Sequence, residues 1–178
     1  MLTVLVECCD QEGELAQTLA VLVAGAVKGI ISDVVVLDKG SRDGTSSLAD
    51  AAGCRFHLNG QLNEIIASVR GEWLLLVEPG ARPVSGWIEE IADYVAMNTR
   101  PARFAPSRFY RRPILSRLMR RGPPLEHGFL MQKQQALQIA KADMALADLT
   151  RGLKGERLMS EIVPAWAARS TRLTQTGL

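Results

Sequence analysis

The chain has 178 residues, 47% of them hydrophobic and 22% charged, with a formal net charge of +2. That length suits one domain with a single core, residues 1–178, and the near-average apolar content excludes a disordered chain, a collagen-like repeat or a long charged tail. The longest apolar stretch, Ala16 to Leu37, is broken by Lys28 and Asp33 and punctuated by Gly25 and Gly29, so it does not read as a membrane span.

The chain opens on an apolar strand, Thr3 to Val6, with no basic n-region of a secretion signal, so a cytoplasmic location is expected. The apolar residues Leu15, Leu19, Leu22, Val23 and Val27 have helical spacing, and the acids before them suit the positive end of a helix dipole. Val34-Val35-Val36-Leu37 is a β-branched run of the kind buried in parallel sheets, followed by a loop, Asp38 to Thr45, and a helix that Gly53 ends. Arg55 to Leu58 reads as an edge strand carrying a structural His57, Gln61 to Val69 as a helix stopped by Gly71, and Trp73 to Val77 as a second buried strand. After a turn from Glu78 to Pro83, Trp87, Ile88, Ile91 and Val95 form a helical stripe that runs to Met97. Beyond Arg100 the pattern predicts an Arg-rich helix after Pro113 and a strand near Gly128 to Met131. Helices follow around Gln134 to Ala142, Asp148 to Lys154 and Glu161 to Trp166. Strands that alternate with helices imply a three-layer α/β/α architecture around a mostly parallel sheet.

Charge is distributed unevenly along this order. Residues 1–99 hold 6 basic and 14 acidic side chains, and residues 100–178 hold 15 and 5. Eight arginines fall between Arg100 and Arg121. Such a cluster is either a solvated basic face or an attractor of phosphate or of an anionic membrane surface; only Phe104, Phe109 and Tyr110 interleave it, too few for a base-stacking platform, which speaks against nucleic acid. The cysteines, Cys8, Cys9 and Cys54, are odd in number and are expected as reduced thiols.

In an open α/β sheet the ligand site lies beyond the carboxyl ends of the strands. Here those positions are polar: Glu7 to Asp10, Asp38 to Asp43, Asn59 to Asn63 and Glu78 to Arg82. No GxGxxG follows the first strand and no GxxxxGK[ST] occurs, which excludes a Rossmann dinucleotide site and a P-loop. The stretch Asp38-Lys39-Gly40-Ser41-Arg42-Asp43-Gly44-Thr45 combines a carboxylate at a strand end, glycines for a tight turn and a hydroxyl for a helix cap. By itself it is either a ligand loop or an Asx-type turn closed on its own backbone.

That loop resembles the D-x-G-S-x-D-G-T signature of the family 2 glycosyltransferases, which have the GT-A fold. Asp10-Gln11-Glu12 before it, at the exit of the first strand, and Gln61-Leu62-Asn63, Arg70-Gly71-Glu72-Trp73 and Gly86-Trp87 after it match in order and spacing, and Glu126-His127-Gly128 resembles the acceptor-side D-Q-G segment. The resemblance implies transfer of a sugar from a nucleotide-diphosphate donor to an acceptor. It assigns residues 1–99 to the nucleotide sugar and residues 100–178 to the acceptor. By it Glu7, Cys9, Asp10 and Asp38 face the base and ribose, and Asp43 and Asn63 shape the donor pocket.

Two departures bear on chemistry. Aligned through Gly86-Trp87, the family's D-x-D metal motif falls on Glu78-Pro79-Gly80, so the first acid is a Glu and the second is missing. Mg²⁺ or Mn²⁺ would then rest on Glu78 and the substrate's phosphates, or Arg82, Arg111 and Arg112 would supply the positive charge instead. The family's E-D-x-D-L acids fall on Ala145 and Leu146, which cannot accept a proton, leaving Asp148, or Asp143 in its place, and His127 as candidate bases. An inactive relative that binds a nucleotide sugar, a glycan or a protein partner is the alternative reading.

Overall fold

The structure, a computed structural model, describes residues 1–110 and 122–168. Arg111 and Arg112, and the helix expected after Pro113, lie outside the described residues.

Eight strands form one sheet: β1 (Leu2–Cys8), β2 (Ile31–Asp38), β3 (Arg55–Leu58), β4 (Trp73–Val77), β5 (Arg82–Pro83), β6 (Ala102–Pro106), β7 (Phe129–Gln132) and β8 (Glu156–Val163). Their spatial order is β3-β2-β1-β4-β7-β6-β8-β5. The pairs β1–β2, β2–β3, β1–β4 and β6–β8 are parallel, whereas β4–β7, β6–β7 and β5–β8 are antiparallel. The sheet is therefore mixed and mostly parallel, β3 stands at its edge as its composition implies, and the basic half of the chain completes the sheet begun by the acidic half.

The helices are α1 (Glu12–Val27), α2 (Thr45–Ala51), α3 (Leu62–Ser68), α4 (Trp87–Met97) and α5 (Lys133–Ile139). Successive strand residues point to opposite faces, so the central runs feed two cores. Val4, Val6, Leu75 and Val77 pack with Leu15, Leu22, Trp87 and Ile91 of α1 and α4. Leu5, Val35, Leu74, Leu76 and Phe129 pack with Ile65 and Ile66 of α3 and with Ala136 of α5. Burial on both sides explains why β4 reads as an unbroken apolar run: all five residues are buried.

Four expectations need correction. Glu161 to Trp166 is not a helix; β8 runs through Val163 with Leu158 and Ile162 buried, an alternation of period two that Pro164 ends before a helical turn at 165–168. Asp148 to Lys154 is instead a 3-10 turn, Leu146–Thr150, and Gly152 at φ 75° turns the chain away from it. The expected helix Gln134 to Ala142 is α5, one residue earlier in start and three shorter at its end. Gly71 is not a helix stop, since α3 has already ended at Ser68; a Cβ there would stand 2.5 Å from the Thr3 nitrogen, so it is glycine because two backbones meet. β5 and β6, without periodicity of their own, are formed by pairing with β8.

Candidate functional site

The carboxyl ends of β1, β2, β3 and β4 open on one side of the sheet, and the loops after β1 and β2 are tied together there. Asp38 ends β2 with 2% exposure, and its Oδ2 accepts the amides of Gly40 at 3.0 Å and Ser41 at 2.9 Å. Its Oδ1 accepts the Ser41 hydroxyl and lies 3.9 Å from the Cys8 thiol. Ser41 in turn receives the Asp10 amide at 2.9 Å, and Asp10 Oδ1 accepts the Arg42 amide at 2.7 Å. Asp43 takes the Glu12 amide on Oδ2 at 2.9 Å and the Thr45 amide on Oδ1 at 3.0 Å, while Glu12 takes the Gly44 amide at 3.2 Å. Three carboxylates, Asp10, Glu12 and Asp43, thus clamp two loops through each other's backbone while Asp38 orders its own loop, and Asp10 is held at φ 52° by the clamp.

Electrostatics follow the bonding. The Thr45 hydroxyl is the main cause that holds the Asp43 carboxyl below its ordinary value, against the opposing effect of burial and with help from the amides of Glu12 and Thr45. Burial, with the Asp38 and Asp43 charges added, pushes the Cys8 thiol up to about 12, so it is an inert apolar group. Cys9 is exposed, its Sγ 4.0 Å from the Lys39 carbonyl. All three cysteines are free thiols.

Glu7 is the last residue but one of β1 and is partly buried. Its Oε2 accepts the Leu146 amide at 2.8 Å and lies 4.0 Å from Lys39 Nζ. The 3-10 turn therefore docks on the mouth through Glu7, with Leu146 buried at 1% exposure. The register Val6↔Val77 and Leu76↔Phe129 brings the chain after β4, which begins at Glu78, to the same end of the sheet as Glu7, and His127 lies there in the turn closed by the Gly128 amide on the Leu125 carbonyl before β7. Asp148 stands on the 3-10 turn, its Oδ1 2.8 Å from Arg151 Nη2. Asn63 stands in the first turn of α3, and its Oδ1 is buried without a partner, as is Nε2 of His57. Burial, and then the Arg55 charge, lower the His57 pKa, so that ring is neutral near pH 7.

At the position of the missing acid, Gly80 is buried at φ 95°. A Cβ there would lie 2.9 Å from the Ala168 Cβ, 3.1 Å from the Ala165 carbonyl and 3.4 Å from the Glu14 Cβ. Its amide donates to Thr18 Oγ1 at 2.8 Å, and that hydroxyl donates to the Ala81 carbonyl at 3.0 Å. The helical turn at 165–168 is seated on the turn where a second metal-binding carboxylate would project. Glu78 remains as the one carboxylate of that turn, and no cluster of three metal-ligating side chains occurs among the described residues. The residues present therefore do not fit a two-carboxylate cation site. Arg82 is turned to Gln17 on α1.

In the basic half of the chain, Trp166 Nε1 donates to Glu126 Oε1 at 2.9 Å, and Tyr110 meets Trp166 edge to face with centroids 6.3 Å apart. The described arginines of the basic cluster are engaged locally. Arg100 pairs with Glu156 at 3.1 Å, Arg108 with Glu161 at 2.6 Å, and Arg103 lies 4.8 Å over the Phe129 ring. No described helix is long and apolar enough to cross a membrane.

Comparison with known proteins finds likeness at the level of structure. No protein-family model matches the chain, and no curated protein matches it. Glucosyl-3-phosphoglycerate synthase from Mycobacterium tuberculosis in complex with UDP is similar with a TM-score of 0.55 at 16% identity; the match covers 76% of this chain, which spans 58% of that one. The same enzyme with Mn²⁺, UDP and glucosyl-3-phosphoglycerate gives a TM-score of 0.63 at 14% identity, over 100% of this chain and 80% of the other. A further mycobacterial protein gives 0.63 at 19% identity, over 89% and 64%. At these identities the likeness establishes the fold, a mixed and mostly parallel α/β sheet of the GT-A glycosyltransferase type.

Proposed function

We propose that the chain is a glycosyltransferase that moves a sugar from a nucleotide-diphosphate donor to an acceptor. The observation that carries this reading is the pair of cross-clamped loops after β1 and β2, set at the carboxyl edge of a GT-A sheet where α/β folds receive nucleotides. Pre-ordered loops lower the entropic cost of seating a nucleotide. In this reading the base and ribose lie along Glu7, Cys9 and Asp10 with Asn63 at the β3 side, while Asp38 and Asp43 act by shaping the loop rather than by touching the ligand. Transfer requires the acceptor hydroxyl to give up its proton as its oxygen bonds to the sugar and the diphosphate departs. The base in this reading is His127, in the turn that leads into β7 at the end of β4, and Asp148 stands on the 3-10 turn paired with Arg151. A divalent ion, Mg²⁺ or Mn²⁺, would find one protein carboxylate here, Glu78. The acceptor is unassigned. A cytoplasmic setting, with arginines from Arg100 to Arg121 against an anionic membrane face, rests on composition alone.

A second reading has its own observation. Ala145 and the buried Leu146 stand where the family's acids are expected, and Leu146 docks on Glu7, as suits a relative that binds a nucleotide sugar, a glycan or a protein partner without turning anything over.

Calorimetric titration with UDP, GDP and their sugars tests the proposal. Saturable binding of one nucleotide, with protection of Cys9 from alkylation, is the expected result. Absence of binding by all four ligand types contradicts it.

A further inference from the structure

The β2–α2 loop carries two cations, Lys39 and Arg42, and Lys39 is the one whose ammonium approaches the end of β1 at Glu7. Asp10, Glu12, Asp38 and Asp43 are committed to backbone amides of the two loops. Lys39, by contrast, is fixed only through its backbone, its amide donating to the Cys8 carbonyl at 3.0 Å. Its ammonium reaches back across β1 to 4.0 Å from Glu7 Oε2, a separation too long for a direct hydrogen bond. The Glu7 oxygen in question is already taken by the Leu146 amide at 2.8 Å, so the ion pair is loose and the ammonium keeps donor capacity. The side chain is 40% exposed, open enough for a ligand to reach.

On the other side of β1, the turn after β4 offers no second carboxylate and has no room for one, because the 165–168 turn is packed on Gly80. A diphosphate seated at these strand ends needs a counter-charge. Glu78 alone is a poor anchor for a divalent ion, whereas Lys39 carries its charge on a long stem rooted in the rigid loop.

We propose that this site recognises the diphosphate of a nucleotide without a divalent cation, with the Lys39 ammonium supplying the counter-charge in its place. The inference rests on the donor reading above and names how that donor's phosphates are held. Lys39 is a phosphate-binding residue, and Glu7 holds its ammonium at the mouth until the ligand arrives.

The test is titration of the full chain with UDP and GDP, in EDTA and in Mn²⁺, for the native protein and Lys39→Gln, with uridine and guanosine as phosphate-free controls. Circular dichroism confirms that Lys39→Gln is folded. The expected result is nucleotide affinity equal within about twofold with and without Mn²⁺. Lys39→Gln should weaken diphosphate binding about tenfold, the worth of one charge-assisted hydrogen bond, and leave the nucleoside controls unchanged. Binding that appears only with Mn²⁺, or a Lys39→Gln protein that binds diphosphate like the native one, overturns the inference and leaves the donor reading standing. Failure of both diphosphates to bind in either medium overturns both. Electron paramagnetic resonance of Mn²⁺ gives a reading free of activity: the protein alone should retain none of the ion.

Discussion

The side chains at the mouth divide into those that build it and those that face it. Cys8 and Cys9 are neighbours in sequence, yet one is 2% exposed with its thiol pushed up to about 12 and the other is exposed. Alkylation of the native protein at about pH 8 should therefore modify Cys9 alone, because the reactive species is the thiolate. Cys54, raised to about 11 mainly by burial, should stay unmodified with Cys8. Peptide mass spectrometry reads the result, and modification of Cys8 before denaturation would contradict the burial described. Thr18 offers a second test. Its hydroxyl joins the Gly80 amide to the Ala81 carbonyl inside the protein, so Thr18→Val leaves both groups without that partner and should cost about 1–3 kcal/mol in chemical denaturation. A loss near zero would mean that the turn after β4 is not anchored there. Gly80→Asp combines a positive φ with three close neighbours and should destabilise by about 2 kcal/mol or more, restoring no metal dependence.

Among the elements, those with strong periodicity were legible in the sequence. The β-branched run of β2, the apolar run of β4 and the stripe of α4 show their environment in their own residues, because burial on one face or two imposes the pattern. β5, β6 and β8 were not legible. β8 mixes charged and apolar residues as the edge-proximal partner of a two-residue strand, and its pairing, not its propensity, makes it a strand. The loop after β2 was legible as a motif, but its bonding was not: only the fold brings Asp10 and Glu12 across to the amides of Arg42 and Gly44. Nothing in the residue order announces that Ala168 lies on Gly80, since that contact spans about half of the chain.

The exposed run of β8 is protected by Glu90 of α4, whose carboxylate accepts the Met159 amide at 2.5 Å and the Ser160 amide at 2.7 Å. Burial would raise the Glu90 pKa, but the bonds from Ser160 and Met159 outweigh it and the net shift is downward. A depressed carboxyl stabilises the fold above its unfolded value of 4.5, and that contribution is lost as the pH falls through the lower folded value. Asp43 behaves in the same sense from 3.8 downward. Thermal midpoints should thus fall as the pH drops below about 4.5, and the fall should be shallower for Glu90→Gln, which lacks the titrating group. An identical acid slope in that variant would remove Glu90 as the group responsible.

At the scale of the whole molecule, an acidic half and a basic half share one sheet, joined where β4 meets β7. Phe129 sits at that junction with no exposure, under the Arg103 guanidinium. Phe129→Ala should cost about 3–5 kcal/mol and unfold both halves together, a single transition by fluorescence and by circular dichroism. Two separated transitions would show that the halves fold independently. The net charge of +2 conceals this architecture, in which the acid-rich half supplies the clamped loops and the basic half supplies the strands and the 165–168 turn that close the mouth.

The most direct measurement is release of nucleoside diphosphate from a panel of nucleotide sugars, with and without acceptor alcohols, followed by chromatography. The account predicts release from at least one donor, in EDTA as well as in Mn²⁺, and a loss of that release in His127→Ala while donor binding is kept. Tight binding of a nucleotide sugar that is never cleaved, under any acceptor or metal condition, would contradict it and leave a binding protein built on a transferase fold.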